Sequence, residues 1–445
     1  MPDLRVQLRP GQVPAVGDIR RRLLGYSQEN FGLALVHSED QTNPARKRGI
    51  FKVKRGTGGV GSTKLTKELK EWAAARGLVL GVAPVRPFER GRQALAWLAR
   101  RGLATPFATG RPEERYRPDL LYPAARSLIV VARPHPQPVR PPGPGEGRIA
   151  RYALGPDYHL ELRASLEALA GMLQRAGARL TAVQVDNGPL LEREAAYLAG
   201  LGYYGASCNL IIPGLGTGCA LGLLITDLEL EAGQPLTQAT CRNCGRCLAA
   251  CPTGALAAPG RLHPELCLSY LTQKRGVIPV ELRPALGRYI WGCDACQEVC
   301  PENPPEFSPA DRGASRAGPD GQWQGSGRDL PDGGTGTGLI YPELATIITM
   351  DKAGFNRVFG GTALAWRGKT ILQRNAAIAL GNLGDARALG PLQQALRAPA
   401  AVLRGHAAWA LGRLGPPARP ALAVALATET DPWVRREIRT ALDSC

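Results

Sequence analysis

Sixty residues constrain this chain more than any other stretch. Between Cys241 and Cys300 lie eight of its eleven cysteines: Cys241, Cys244, Cys247 and Cys251 in one run, Cys267 alone, then Cys293, Cys296 and Cys300. The first run reads C-R-N-C-G-R-C-L-A-A-C-P, a Cys-x2-Cys-x2-Cys-x3-Cys-Pro spacing, and the last reads C-D-A-C-Q-E-V-C-P. Pro252 and Pro301 each follow a final cysteine, where a fixed φ and a missing N–H end the loop.

A four-iron cube needs one soft thiolate per iron, and a short Cys-x2-Cys-x2-Cys loop covers three of its corners. The cysteine three residues on turns away towards a second cube, which is the bacterial ferredoxin pattern. Eight thiolates suit two 4Fe–4S clusters. The expected pairing is Cys241, Cys244, Cys247 and Cys300 on one, with Cys251, Cys267, Cys293 and Cys296 on the other. A structural zinc would use two Cys-x2-Cys pairs and leave four neighbouring cysteines without a role. A disulfide framework sits badly with an odd cysteine total and with no secretory signal opening the chain.

The 445 residues allow about three domains, and no apolar run approaches the ~18–20 residues of a membrane span. Ligands kept as thiolates suit a reducing interior, so a cytoplasmic protein is expected, with no membrane partner. The formal net charge is +17. It is concentrated at the ends: residues 1–64 hold 12 Lys/Arg against 5 Asp/Glu, and residues 352–445 hold 13 against 5. Such clustering favours a polyanionic partner, of which nucleic acid is the commonest; the bland alternative is a chain whose surfaces are simply cationic.

Five segments are expected. Residues 1–62 form a basic extension, disordered or arising from a misplaced start; Gly56 and Gly61 have P-loop spacing there, but Ser62 stands where the phosphate-binding lysine belongs. Residues 63–235 alternate helices and strands as an α/β or α+β domain. It opens on a helix with Thr63 as N-cap and Gly77 as stop. Strands follow at 79–82 and 127–132, then a helix carrying Leu162, Leu166, Leu169 and Leu173, a strand at 180–185, a helix at 190–198 and a strand at 220–226. The cluster module occupies 236–305. A Gly/Pro-rich linker covers 306–338. In 339–445, A-A-I-A-L-G-N-L-G from Ala376 matches A-A-W-A-L-G-R-L-G from Ala407, a period of 31. Repeats of this length stack as a HEAT-like α-solenoid, on which the arginines, Arg404 and Arg435 among them, are expected to face outward.

Clusters carry electrons to some other centre, yet no dinucleotide fingerprint appears. The Asp-x-His-x-x-Gly pattern of proteins that ligate cobalt through histidine is also absent, since Leu162 takes its glycine position after Asp157-Tyr158-His159. Asp186 ends an apolar strand and enters a turn, where it could be an acid or the cap of the helix starting near Leu190. Buried beside a bound cofactor, its carboxyl could have its pKa raised enough to act as an acid near pH 7.

Several motifs, taken in order, resemble the epoxyqueuosine reductases of tRNA modification: R-Y-A-L-G-P-D-Y-H at 151–159, V-D-N-G-P-L-L-E-R at 185–193, L-C-L-S-Y-L-T at 266–272 and G-C-D-A-C-Q-E-V-C-P-E-N at 292–303. The resemblance runs from about Leu65 to the C-terminus. It implies a cytoplasmic, monomeric oxidoreductase that holds cobalamin, without a histidine on cobalt, beside two 4Fe–4S clusters in an overall α+β fold. This enzyme would reduce epoxyqueuosine to queuosine at the wobble position of a tRNA anticodon stem-loop, with electrons from an external donor. Asp186 matches the family's proton donor. Arg115 matches an arginine near cobalamin, against the alternative of a plain surface arginine; Ser269 and Tyr270 would line the cofactor pocket, although Tyr270 could simply pack. Asp157, Tyr158 and His159 could equally form a structural turn. The chain departs from the family at Gly205-Ala206-Ser207, usually Gly-Lys-Asn, and at Glu302, usually tryptophan. Two other readings stand beside this one: a reductive dehalogenase-like enzyme acting on a small molecule, and a non-enzymatic electron-transfer protein.

Overall fold

The computed structural model describes residues 60–103, 105–135, 142–307 and 341–445. The basic extension and the Gly/Pro-rich linker therefore lie, except at their edges, outside the described residues.

Helix α1 (Val60–Ala74) begins three residues before Thr63, which is not its cap. Tertiary contact sets this earlier start: Ser62 Oγ donates to the Glu229 carbonyl at 2.9 Å, and Thr66 Oγ1 accepts the Glu231 amide at 3.1 Å. Strand β1 (Val79–Pro84) follows, then α2 (Glu89–Ala99), β2 (Ser127–Pro134), α3 (Tyr158–Arg175), β3 (Thr181–Val185), α4 (Glu192–Leu198) and β4 (Cys219–Thr226). The sheet runs β1-β2-β4-β3 and every pairing is antiparallel. Helix–strand alternation thus leads here to no parallel crossover, and α+β is the description that holds. α2 escaped the sequence reading because arginines and alanines blur its apolar face.

The buried leucines of α3 (Leu162, Leu166, Leu169, Leu173) cover one face of the sheet, and Gly222 on β4 admits Leu166, whose methyl would lie 2.8 Å from an added Cβ. α4 covers the opposite face with Ala195, Ala196 and Leu198. The first core continues without a break into the C-terminal helices.

Those helices include α5 (Lys369–Leu383), α6 (Ala401–Leu414) and α7 (Pro432–Ser444), stacked in sequence. The repeat glycines sit at the crossings: a Cβ on Gly381 would meet Ala410 Cα at 2.8 Å, and one on Gly412 would meet Ala441 Cα at 2.8 Å. The expected outward arginines are corrected in part. Arg404 is bidentate to Glu429 and Arg435 donates to the Leu426 and Glu429 carbonyls. A helix pair must satisfy the carbonyls at its turn, and these arginines do so. Among the described residues no helix is long and apolar enough to cross a membrane.

The cysteine module lies between these two parts and is pinned to both. Its strand at Tyr289–Trp291 pairs in parallel with Arg148–Ile149, the Arg148 guanidinium pairs with Glu298, and the buried Asp294 accepts the Arg151 amide at 2.9 Å. From the other side, fully buried Arg374 donates to the carbonyls of Leu271, Lys274 and Gly276, and Asn375 to those of Thr272 and Ile290.

Candidate active site and cluster module

The folded module distributes its cysteines over two adjoining regions. Cys241, Cys244, Cys247 and Cys300 line one cavity, together with the small residues Gly205, Ala206 and Gly245. Cys251, Cys267 and Cys293 border the neighbouring apolar cluster, and Cys251 and Cys296 pack where the two regions meet. Burial pushes the Cys296 thiol up to about 12 and raises Cys267 and Cys293 as well. Desolvated thiols of this kind become thiolates only beside a cation, which iron supplies. The donor set therefore fits two four-iron clusters.

A small hairpin of the preceding domain, Tyr203–Tyr204 against Leu210–Ile211, closes over this module. At its tip the Ala206 amide donates to Cys241 Sγ at 3.5 Å, Asn209 Nδ2 reaches Cys296 Sγ at 3.9 Å, and the Ala206 carbonyl accepts from Gly260 at 2.9 Å. Glu302 has local partners suited to its charge: Arg242 Nε at 2.7 Å and the Tyr203 hydroxyl at 3.4 Å. Cys208 adopts φ +64 in this tip and its carbonyl accepts from Arg193. Burial raises the thiols of both Cys208 and Cys219.

Asp186 sits at the far end of the same wall, in the loop after β3. Its backbone is held at φ +55, outside the region an aspartate prefers. Two contacts enforce this: Glu192 Oε1 accepts the Asp186 amide at 2.7 Å, and the buried Gln184 amide pairs with both the N–H and the carbonyl of Leu190, closing the loop. The side chain does not cap α4, whose N-cap residue is Leu191 with no side-chain hydrogen bond. Instead its Oδ2 lies 3.2 Å from His159 Nε2, while Asp157 Oδ1 lies 2.6 Å from His159 Nδ1. Asp157 also caps α3 by accepting the His159 amide. The Asp157-Tyr158-His159 segment is thus both a helix start and part of the site.

The electrostatics follow from these contacts. Asp186 is not raised towards neutrality: its hydrogen bond with His159 outweighs desolvation and lowers its pKa. Burial works against a charged His159, but the hydrogen bonds to Asp186 and Asp157 prevail and raise its pKa. The group whose carboxyl is pushed up, to about 8, is Glu192, by burial and by the nearby Asp186 charge.

The remaining sequence candidates divide. Arg115 lies near this wall with its backbone carbonyl on the Leu191 amide, its Nε buried without a partner among the described residues, and Arg193 close enough to oppose its charge. Ser269 joins the acid through a chain of contacts: Gln273 Nε2 donates to the Ser269 carbonyl at 2.7 Å and to the Tyr152 hydroxyl at 2.8 Å, and Tyr152 packs edge-on against Tyr158. Tyr270 turns the other way and packs on Phe107. Sequence reasoning passed over Glu192 and Arg193 as players, although both lie inside the V-D-N-G-P-L-L-E-R motif; the signal was two charges straight after an apolar turn.

Three family models match the chain: "4Fe-4S double cluster binding domain" over residues 240–303, "Epoxyqueuosine reductase QueG, DUF1730" over 115–187, and "HEAT repeats" over 366–443. The epoxyqueuosine reductase of Bacillus anthracis is 33% identical over 346 residues, covering 76% of this chain and 85% of that one. A crystal structure of an epoxyqueuosine reductase with an epoxyqueuosine-modified tRNA-Tyr stem loop superposes with TM-score 0.74 at 31% identity, covering 86% of this chain and 98% of the other. A structure of the Bacillus subtilis enzyme, with its catalytic aspartate loop swung out of the active site, superposes equally well, at TM-score 0.74 and 31% identity over 86% of this chain and 99% of that one.

Proposed function

The chain belongs to the epoxyqueuosine reductase family, and from that premise we propose that Asp186 is the proton donor of its reaction, reloaded through His159. The reaction reduces epoxyqueuosine in tRNA to queuosine. This membership removes the dehalogenase-like and electron-carrier alternatives. The cofactors are two 4Fe–4S clusters and cobalamin; when bound, they supply the two electrons that break the carbon–oxygen bonds.

The residues fit a large cofactor between Asp186 and the module. The Asp186 carboxylate stays 58% exposed although its backbone is clamped, and Arg115 keeps a buried Nε without a partner among the described residues. Arg115, Ser269 and the loop of Asp186 would border the cobalamin. The two cysteine quartets would hold one cluster each, and residues 63–235 would form the cobalamin-binding domain. Tyr270 fits an aromatic wall better than a cofactor ligand.

Opening an epoxide to an alkene consumes two electrons and two protons, and the oxygen departs as water. Its alkoxide needs a proton at once. The observation that carries the reading is the Asp157–His159–Asp186 line, with contacts of 2.6 and 3.2 Å, ending on an exposed carboxylate. Asp157 fixes the His159 ring; the imidazolium gives its proton to the Asp186 carboxylate, the carboxylic acid so formed delivers it to the substrate oxygen, and His159, reprotonated from solvent, supplies the second proton by the same route. Glu192 and Gln184 keep the loop in place. Asp186→Asn in the reconstituted holoenzyme should lower turnover of an epoxyqueuosine-bearing hairpin by about 10²–10⁴-fold with iron and cobalamin content unchanged. Activity near wild type would remove Asp186 as the donor.

A further inference from the structure

Three distant segments meet at the edge of this site and bring aromatic rings without burying them. Phe107 lies 5.0 Å from Tyr270 and 5.6 Å from Trp366, centroid to centroid, edge-on in both cases. The Arg367 guanidinium lies 3.6 Å over the Trp366 ring and 4.8 Å from that of Phe107. Trp366 nevertheless remains 54% exposed. Arg367 has no carboxylate partner among the described residues, its Nε is buried and unbonded, and exposed Arg275 is near enough to oppose its charge.

Position ties this group to the chemistry. Thr109, two residues past Phe107, donates to the carbonyl of Gly188, two residues past Asp186, at 3.1 Å, and Gly110 is packed against Pro189. Tyr270 is three residues past Cys267, and its loop is anchored by Arg374 and Asn375 of the helix that follows Trp366. The rings are therefore fixed from three sides beside the loop that carries the acid. An exposed indole backed by a guanidinium presents a free π face beside a positive charge, and both groups stack on nucleobases.

We propose that Trp366, supported by Phe107 and Tyr270, is a stacking platform for an unpaired anticodon-loop base next to the wobble nucleotide, with Arg367 and Arg275 on the adjoining phosphate. This rests on the tRNA reading above. The neighbouring Arg367 and Arg275 guanidiniums favour a polyanion there, and single-stranded RNA is recognised chiefly by splayed bases on aromatic and guanidinium planes.

The test uses holoenzyme and a fluorescently labelled, unmodified anticodon stem-loop hairpin, titrated by anisotropy at several salt concentrations. Trp366→Ala should bind roughly 5- to 100-fold more weakly with its salt slope unchanged, and Trp366→Phe should recover most of the loss. Arg367→Gln should flatten the slope of log K against log salt by about 0.7. Visible absorption should report the same cobalamin content throughout. Unchanged affinity in Trp366→Ala, or lost cobalamin absorption with unchanged affinity, would overturn the platform. Queuosine formation by the same wild-type enzyme is scored on an epoxyqueuosine-bearing hairpin: its absence, with the binding losses intact, would count against the tRNA-reductase reading and leave the platform standing.

Discussion

As the proposed proton donor Asp186 must protonate an alkoxide, yet its surroundings favour the carboxylate. Its partner offers a source, because the contact that lowers the Asp186 pKa raises that of His159. The sign follows from this. The His159 pKa lies above its ordinary value near 6.5, so the relay is loaded below that raised pKa and empties as pH rises through it. Turnover should therefore fall on a basic limb. Asp157→Asn removes one of the two carboxylates that raise His159, and should move this limb to lower pH in a single-turnover pH profile; an unmoved limb would separate His159 from proton supply. Legibility at this scale was uneven. Position 186 stood out because it closes an apolar strand within a recognisable motif. The direction of its pKa did not, since that depends on His159, 27 residues away in the chain and brought within 3.2 Å only by folding.

Among the elements, the repeat helices were read from a period of 31 residues, and the structure explains the glycine inside each copy. Gly412 stands where α6 crosses α7, with Ala441 Cα 2.8 Å from any added Cβ. Gly412→Val should cost about 1–3 kcal/mol, read as a lowered midpoint in thermal or denaturant unfolding. Arg374 has a different cost. It is fully buried, desolvation takes its pKa down to about 9, and it satisfies three module carbonyls. Arg374→Met should lose roughly 3 kcal/mol and loosen the 271–276 loop, which would appear as faster amide exchange there while the repeats stay protected. The module admits a separate check: Cys300→Ala should leave about four irons per chain and Cys293→Ala should do the same, whereas a double substitution across both quartets should leave none. Periodicity exposed the helices but not α1's true start, because Ser62 and Thr66 are fixed by residues some 165 positions away.

For the whole molecule, charge and connectivity decide how much of a basic sequence can meet RNA. Binding to the hairpin should weaken steeply with salt, but not every arginine contributes. Arg404 is bonded to Glu429, so Arg404→Gln should lower thermal stability and leave the salt slope as it was; a flattened slope would show that this arginine reaches phosphate. One core runs from the sheet into the repeats, and ion pairs and backbone bonds fasten the cysteine module between them. The chain's order alone determined the cysteine module and the repeat period, because spacing and periodicity are local properties. Only the tertiary structure decided that the sheet is antiparallel, that the repeat arginines serve turns, that Glu302 finds Arg242, and that Asp157, His159, Asp186 and Glu192 form one network. Each of these depends on partners far apart in sequence, whose distance is set by packing.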